Sequence, residues 1–398
     1  MTAIISELSE NVGKLQPSAT IAVSSRAREL RAQGRDIVNL SAGEPDFPTP
    51  SFIAEAGRAA IEAGRTRYTP AAGIPELRQA VSASLLERHG RDVDAAGVVV
   101  SAGAKQALFN TLFALAGPGD KVLVPVPYWT SYPEMVALAR AEPVAVTGPE
   151  ERGYRVGPEE LERAAGPDVR ALLLNSPSNP SGSVYRRDEL GAILEWAAGR
   201  GVWVISDEIY GRLSYLDEPA PGVFDFPDPL LERVVLVDGA SKAYAMTGWR
   251  IGWSVSSPGL AATLAALQSH TTSNAATPSQ YAALAALTPS AEQAAELDAM
   301  VSTFRGRRDL VLDLLERHLP GTGHVVPEGA FYLFFRADQW YDDERPDSVA
   351  LCTWLIEHAG VALVPGAAFG DDRYVRLSFA ASRGELEDAF GRLRSALP

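Results

Sequence analysis

The sequence predicts an α/β fold: a large domain with a mainly parallel seven-stranded sheet sandwiched by helices, beside a smaller, discontinuous α+β domain. Three observations carry that expectation. At 398 residues the chain exceeds what one hydrophobic core of ordinary size organises, so two domains are expected. Between about residues 95 and 255, β-rich apolar runs alternate with amphipathic helical patterns, as in a doubly wound sheet. From about Pro289 onward the texture changes to a charged helical stretch followed by short, scattered apolar runs. The expected division is an N-terminal arm at 1–50 that forms part of the small domain, a large domain at 51–288, and a small C-terminal domain at 289–398.

Taken in order, the first fifty residues hold one helix and then Ser41-Ala-Gly-Glu-Pro-Asp-Phe-Pro-Thr-Pro50, whose prolines and glycine forbid regular structure. The seven strand candidates are Val98–Val100, Lys121–Val126, Pro143–Val146, Arg170–Leu174, Val202–Ile205, Val234–Val237 and Ile251–Val255. Each is short, apolar and rich in β-branched residues. Lys105 to Ala116 and Arg187 to Gly199 carry apolar residues at helical spacing, and the alanine-rich Ala261 to Leu267 reads as helix. Beyond Pro289 a helix runs through Arg305–Asp309, Gly329–Phe335 looks hairpin-like, a helix surrounds Trp354, and Tyr374–Ser378 is a strand. No internal repeat is visible.

Composition narrows the function class. Hydrophobic residues at 46% and charged residues at 22% exclude a disordered, collagenous or membrane-bundle chain. A net charge of −14 with no basic stripe argues against nucleic acid as a partner. No apolar run approaches the roughly 18 residues a bilayer crossing needs, so no membrane partner is expected. The acidic start, Met1-Thr-Ala-Ile-Ile-Ser-Glu-Leu-Ser-Glu10, does not resemble a signal peptide, and the expected location is the cytoplasm. Cys352 is the one cysteine, which excludes an internal disulfide and fits a buried apolar thiol. The five histidines have no metal-ligand spacing, so no metal is expected.

In an open α/β sheet ligands sit beyond the carboxyl ends of the strands. Four such positions carry chemistry here. Ser101-Ala-Gly-Ala-Lys105 opens a helix with small residues, so backbone N–H groups of Gly103, Ala104 and Lys105 can approach a phosphate where the helix dipole favours an anion. Asn179 follows the strand ending near Asn175, and Asp207 and Tyr210 follow Ile205. Lys242 follows Val237 among small residues, where lost hydration lowers an amine's pKa and suits it to a Schiff base. Arg250 can grip a phosphate through its fork of donors. Asp207 can keep a pyridine nitrogen protonated, and Asn179 and Tyr210 can hydrogen-bond a ring oxygen. Each position also has a plain structural reading: Asp207 as a helix cap, Asn179 before Pro180 as a turn, Ser101–Ala104 as a tight turn, Lys242 as a solvated lysine. Their joint occurrence at four strand ends favours the functional reading.

With these residues in view, the chain resembles the class I aminotransferases, fold type I enzymes that use pyridoxal 5′-phosphate, and among them the bacterial aspartate aminotransferases. The resembling segments run nearly end to end: Pro17–Thr20, Ser41–Asp46, Tyr68–Leu77, Gly103–Leu108, Pro127–Trp129, Asn175–Gly182, Ser206–Tyr210, Lys242–Arg250 and Val375–Ser378. The lysine block is the most specific of them. The resemblance implies an aminotransferase moving an amino group between an L-amino acid and a 2-oxo acid, with elimination, cyclisation or decarboxylation of an amino acid on the same fold as the alternative. It implies that Lys242 forms the Schiff base and moves a proton, with Asp207 on the ring nitrogen, Asn179 and Tyr210 on the ring oxygen, and Trp129 stacked on the ring. Ser241 becomes the hydroxyl donor to the phosphate, because Gly239 stands where some relatives have a serine. Arg376 would clamp the substrate α-carboxylate with the Gly43 backbone over it. Tyr68 would reach the phosphate of a neighbouring subunit, which implies a homodimer. Lys105 matches a lysine near a distal carboxylate, whereas Gln16 stands where relatives often have a lysine for an acidic side chain.

Overall fold

The computed structural model describes residues 9–13, 15 and 17–397; Gln16 lies outside the described residues. A two-residue strand, β1 (Val38–Asn39), follows the arm helix Ala19–Ala32. The seven apolar runs then form β2 (Val98–Ser101), β3 (Lys121–Val126), β4 (Glu142–Thr147), β5 (Val169–Asn175), β6 (Trp203–Asp207), β7 (Val234–Gly239) and β8 (Gly252–Val255). They make one seven-stranded sheet in the order β2-β8-β7-β6-β5-β3-β4. Only β8 runs against its neighbours.

Side-chain alternation explains why this sheet is covered on both faces. Val122, Val124, Leu173, Ile205 and Val237 enter one core, while Leu123, Leu172, Leu174, Val204 and Leu236 enter a second. Helices Ala104–Leu115 and Arg187–Arg200, expected from their periodicity, supply apolar residues to opposite cores.

The register aligns the functional ends. Ser101 and Gly239 both pair with Gly252, Asn175 pairs with Asp207, and Asp207 pairs with Val237. Because β2 is parallel in sense to β7, its carboxyl end reaches the same rim. Gly252 is required there: a Cβ on it would stand 2.1 Å from the Ala104 nitrogen and 2.6 Å from the Gly103 carbonyl carbon. Both are backbone atoms with no room to yield. Gly252→Ala is therefore expected to push the Ala104–Leu115 helix off the rim, costing about 1–3 kcal/mol or more by overpacking. Thermal denaturation and a cofactor titration check this; an unchanged midpoint with unchanged cofactor affinity contradicts it.

The C-terminal part contains β9 (His324–Val325), β10 (Tyr332–Arg336), β11 (Val361–Ala362), β12 (Val364–Pro365) and β13 (Tyr374–Ser378). An antiparallel sheet forms in the order β12-β13-β10-β9, and β1 pairs in parallel with β11. Ala27, Leu30 and Ile37 of the arm pack with Ile356 and Ala362, and Glu357 bridges Arg26 and Arg35. The hairpin expected at Gly329–Phe335 does not form. Gly329 makes an isolated bridge with Ser214, and β10 is a single strand between β9 and β13. Tyr332, Leu333, Phe334 and Phe335 are all buried, so both faces of β10 are covered and the run has no alternation to mark a turn. Among the described residues no helix is long and apolar enough to cross a membrane. Cys352 is buried, and burial raises its thiol pKa.

Candidate active site

A cavity of about 490 Å³ opens at the carboxyl rim of the large sheet, bounded also by the Ala19–Ala32 helix and by Tyr332 and Arg376 of the small sheet. Gly43, Ala104, Lys105, Trp129, Asn179, Asp207, Tyr210, Ser241, Lys242, Arg250 and Arg376 all line it, so residues far apart in the chain meet in one place. Gly103 lies just behind the lining, against Arg250. Tyr68 is elsewhere, 90% exposed.

One end of the cavity is built of donors. Gly103 is the N-cap of the Ala104–Leu115 helix and provides no side chain to cap it. Its φ of +87° and its contact with Arg250 both need glycine: an added Cβ would lie 2.5 Å from Arg250 Nη2. The amides of Ala104 and Lys105 have no acceptor among the described residues, and neither has the Ser241 hydroxyl. Arg250 sits at φ 55°, a sparsely populated conformation for a residue with a side chain, and its Nη1 donates to the Thr247 carbonyl at 2.9 Å. The Ser101 hydroxyl is not part of this end; it donates to Gln268 Oε1 at 2.6 Å. Two helix-end amides, a hydroxyl and a guanidinium fit a phosphate.

Asp207 ends β6, 3% exposed, and accepts hydrogen bonds from the Tyr132 hydroxyl at 2.7 Å and the Ile209 amide at 3.2 Å. Burial pushes its pKa up to about 6 despite those donors. Among the described residues no cation pairs with it, so the carboxylate has capacity for a protonated ring nitrogen. Lys242 lies in the turn beyond β7, and its Nζ donates to the Gly43 carbonyl at 2.5 Å. Lost hydration lowers its pKa to about 8; Glu44 opposes that shift, and Arg250 and Arg376 add to it. An amine with that pKa is half neutral at pH about 8, and the neutral form is the one that attacks a carbonyl.

Arg376 is the central residue of β13, 1% exposed, paired in register with Phe334 and Val364. Nη1 donates to Asn179 Oδ1 at 2.9 Å and Nη2 to the Ser41 carbonyl at 2.8 Å, while Nε is buried without a partner. Its guanidinium lies 4.3 Å from the Tyr332 ring centre and 5.0 Å from that of Phe369. Burial lowers its pKa, and no carboxylate among the described residues balances its charge. A buried, aromatic-flanked guanidinium lacking an anion has the geometry and charge to accept a carboxylate. Arg376→Gln is expected to raise KM for every amino-acid substrate roughly 10- to 100-fold, the value of a charged hydrogen bond. Equal KM values in variant and parent would contradict that role.

Asn179 and Tyr210 take partners that sequence reading did not anticipate. Asn179 Oδ1 serves Arg376, which leaves its Nδ2 without a partner, and the Tyr210 hydroxyl meets the Tyr332 hydroxyl at 2.8 Å. Trp129 packs edge-on against Tyr132 with ring centres 5.4 Å apart. Lys105 Nζ lies 4.7 Å from the Trp129 ring centre, and burial followed by Arg250 lowers its pKa. Sequence reasoning missed Tyr132 and Tyr332. The first is in Pro127-Tyr-Trp-Thr-Ser-Tyr132 just past β3, a strand-end position open to the same test as Asp207; the second lies in an aromatic run that reads as core.

The sequence model of the family described as "Aminotransferase class I and II" matches residues 35–393. The chain is 42% identical over 399 residues to an aspartate aminotransferase of Streptomyces avermitilis, covering 98% of this chain and 96% of that one. It is also 42% identical over 391 residues to a probable aspartate/prephenate aminotransferase of Thermus aquaticus, covering 98% and 99% of the two chains. Among solved structures, the aspartate aminotransferase from Thermus thermophilus with maleate superposes with a TM-score of 0.92 at 41% identity, covering 98% of this chain and 99% of that one.

Proposed function

From the premise that this chain belongs to the class I and II aminotransferases, we propose that its amino donor is an acidic amino acid such as aspartate, and that the cavity residues act as follows. The enzyme is a pyridoxal 5′-phosphate-dependent transferase that moves an amino group between an L-amino acid and a 2-oxo acid. When bound, the cofactor carries the amino group between the two substrates and withdraws electrons from the substrate Cα.

The chain's own residues do the rest. The Ala104 and Lys105 amides, the Ser241 hydroxyl and Arg250 hold the phosphate. Asp207, oriented by Tyr132, keeps the ring nitrogen protonated; Asn179 Nδ2 and the Tyr210 hydroxyl donate to the ring oxygen; Trp129 packs on the ring. Arg376 grips the α-carboxylate, aligned by Asn179 Oδ1, with the Gly43 backbone above it. Lys242 Nζ would hold the cofactor at its aldehyde carbon, with loss of water, and would be placed to take the proton from the substrate Cα, a task suited to a pKa of about 8.

The same reading assigns 1–50 to an arm completing the small domain, 51–288 to the cofactor-binding domain and 289–398 to the small domain. It makes the enzyme a cytoplasmic homodimer, and the 90% exposure of Tyr68 supports a place for that side chain in the partner's site. The single observation that carries the catalytic reading is the coexistence in one cavity of a depressed lysine, an unpaired buried aspartate and an unpaired buried arginine. The test is a half-reaction: cofactor-loaded enzyme mixed with one amino acid at a time should lose its aldehyde-form absorbance and gain that of the pyridoxamine form. Failure with acidic, aromatic and aliphatic amino acids alike would overturn it.

A further inference from the structure

The Ala19–Ala32 helix turns Ile21, Ser24 and Arg28 toward the cavity, a spacing that places them on one helical face. Other arginines of this helix are engaged away from the cavity. Arg26 pairs with Glu357 at 2.5 Å, and Arg31 Nε donates to the Ile37 carbonyl at 2.8 Å. Arg28 differs. Its hydrogen bond goes to the neutral Ser25 hydroxyl at 3.0 Å, and among the described residues no carboxylate pairs with it.

Charge balance across the cavity shows what is missing. The carboxylates that face it are Asp207 and Glu44; the first is matched by a ring nitrogen in the reading above, and the second accepts from the Thr247 hydroxyl at 3.0 Å. Of the cations, Lys242 and Arg250 serve the cofactor and Arg376 the α-carboxylate. Arg28 and Lys105 remain, and the nearest hydrogen-bonding group to the Lys105 ammonium is the neutral Ser131 hydroxyl at 3.3 Å. Both are exposed to solvent, and a dicarboxylic substrate would bring a carboxylate to this end of the cavity where a monocarboxylic one would not. Burial and Arg250 lower the Lys105 pKa, whereas a guanidinium keeps its charge at any working pH and offers a planar fork to a carboxylate. Ile21, 62% exposed on the same face, offers an apolar wall for the methylene that links the two carboxylates.

We propose that Arg28 is a recognition residue for the side-chain carboxylate of a dicarboxylic amino acid and of the matching 2-oxo acid, working from the arm helix toward the cavity that Lys105 also lines. The proposal rests on the aminotransferase reading. It is tested on cofactor-loaded wild type, Arg28→Gln and Arg28→Lys by two measurements: the ratio of kcat/KM for aspartate to that for alanine, and the affinity for succinate by calorimetry. In Arg28→Gln the ratio falls at least about tenfold and succinate binds at least about tenfold more weakly, with partial recovery in Arg28→Lys. If wild type turns over aspartate, and the ratio and the succinate affinity of Arg28→Gln stay within about twofold of it, Arg28 has no such role while the aminotransferase reading stands. A wild type that turns over no amino acid sinks that reading instead.

Discussion

Lys242→Ala is expected to lower the half-reaction rate by about 10⁴-fold or more, because in the proposed mechanism one substitution removes both the point of covalent attachment and the group that moves the Cα proton. Stopped-flow absorbance with aspartate measures it. The loss should not be confined to KM, since Arg376 and the phosphate donors are untouched. A related pH dependence follows from the amine itself. Lost hydration lowers its pKa to about 8, so the neutral, nucleophilic fraction grows as pH rises and levels off above about 8, well below the 10.5 of an ordinary lysine. The rate at which the apoenzyme captures the aldehyde should rise between pH 6 and 8 by roughly the tenfold per unit of a single ionisation, then flatten. A rise continuing toward pH 10 would mean that the attacking lysine is solvated.

Asp207→Asn is the second large effect. The amide keeps the shape and can still meet the Tyr132 hydroxyl, but it carries no charge to hold a proton on a ring nitrogen. Removing one partner of a buried ion pair costs about 3–5 kcal/mol, which corresponds to a fall in kcat of roughly 10²- to 10⁴-fold. Cofactor affinity should fall much less, because the phosphate donors remain. Steady-state kinetics with a parallel cofactor titration separates the two. A kcat within threefold of the parent would show that the carboxylate does not act on the ring.

The strands were legible because the sheet is covered on both faces: Val98–Val100 and Val234–Val237 read as strands from local apolar runs alone, and the structure makes them β2 and β7. Strand polarity alone predicts that Asp207 and Lys242 lie near one rim. What stayed hidden depends on pairings over long chain separations. That Arg376 leans on Tyr332 and shares Asn179 with the cavity requires the small sheet to dock against the large one, which no local pattern encodes. Tyr132 orients Asp207 across 75 residues of chain, and its tyrosine reads equally as packing. The misread hairpin at Gly329–Phe335 has the same origin: burial on both faces erases the alternation that would distinguish a central strand from a turn. Arg28 was invisible as a candidate because the helix face it occupies is defined only by the cavity beside it.

The central claim is that the amine at position 242, and no other, takes the cofactor's aldehyde. The chain contains four lysines, at positions 14, 105, 121 and 242, which makes the claim sharp. Lys121 pairs with Asp168 at 2.9 Å, and that hydrogen bond raises its pKa, so it stays an unreactive ammonium at neutral pH. The deciding measurement is borohydride reduction of the cofactor-loaded protein at pH 7 followed by peptide mass mapping. The account predicts one phosphopyridoxyl group per chain, on the peptide that contains Lys242. A label on Lys14, Lys105 or Lys121, or no label at all, would contradict it.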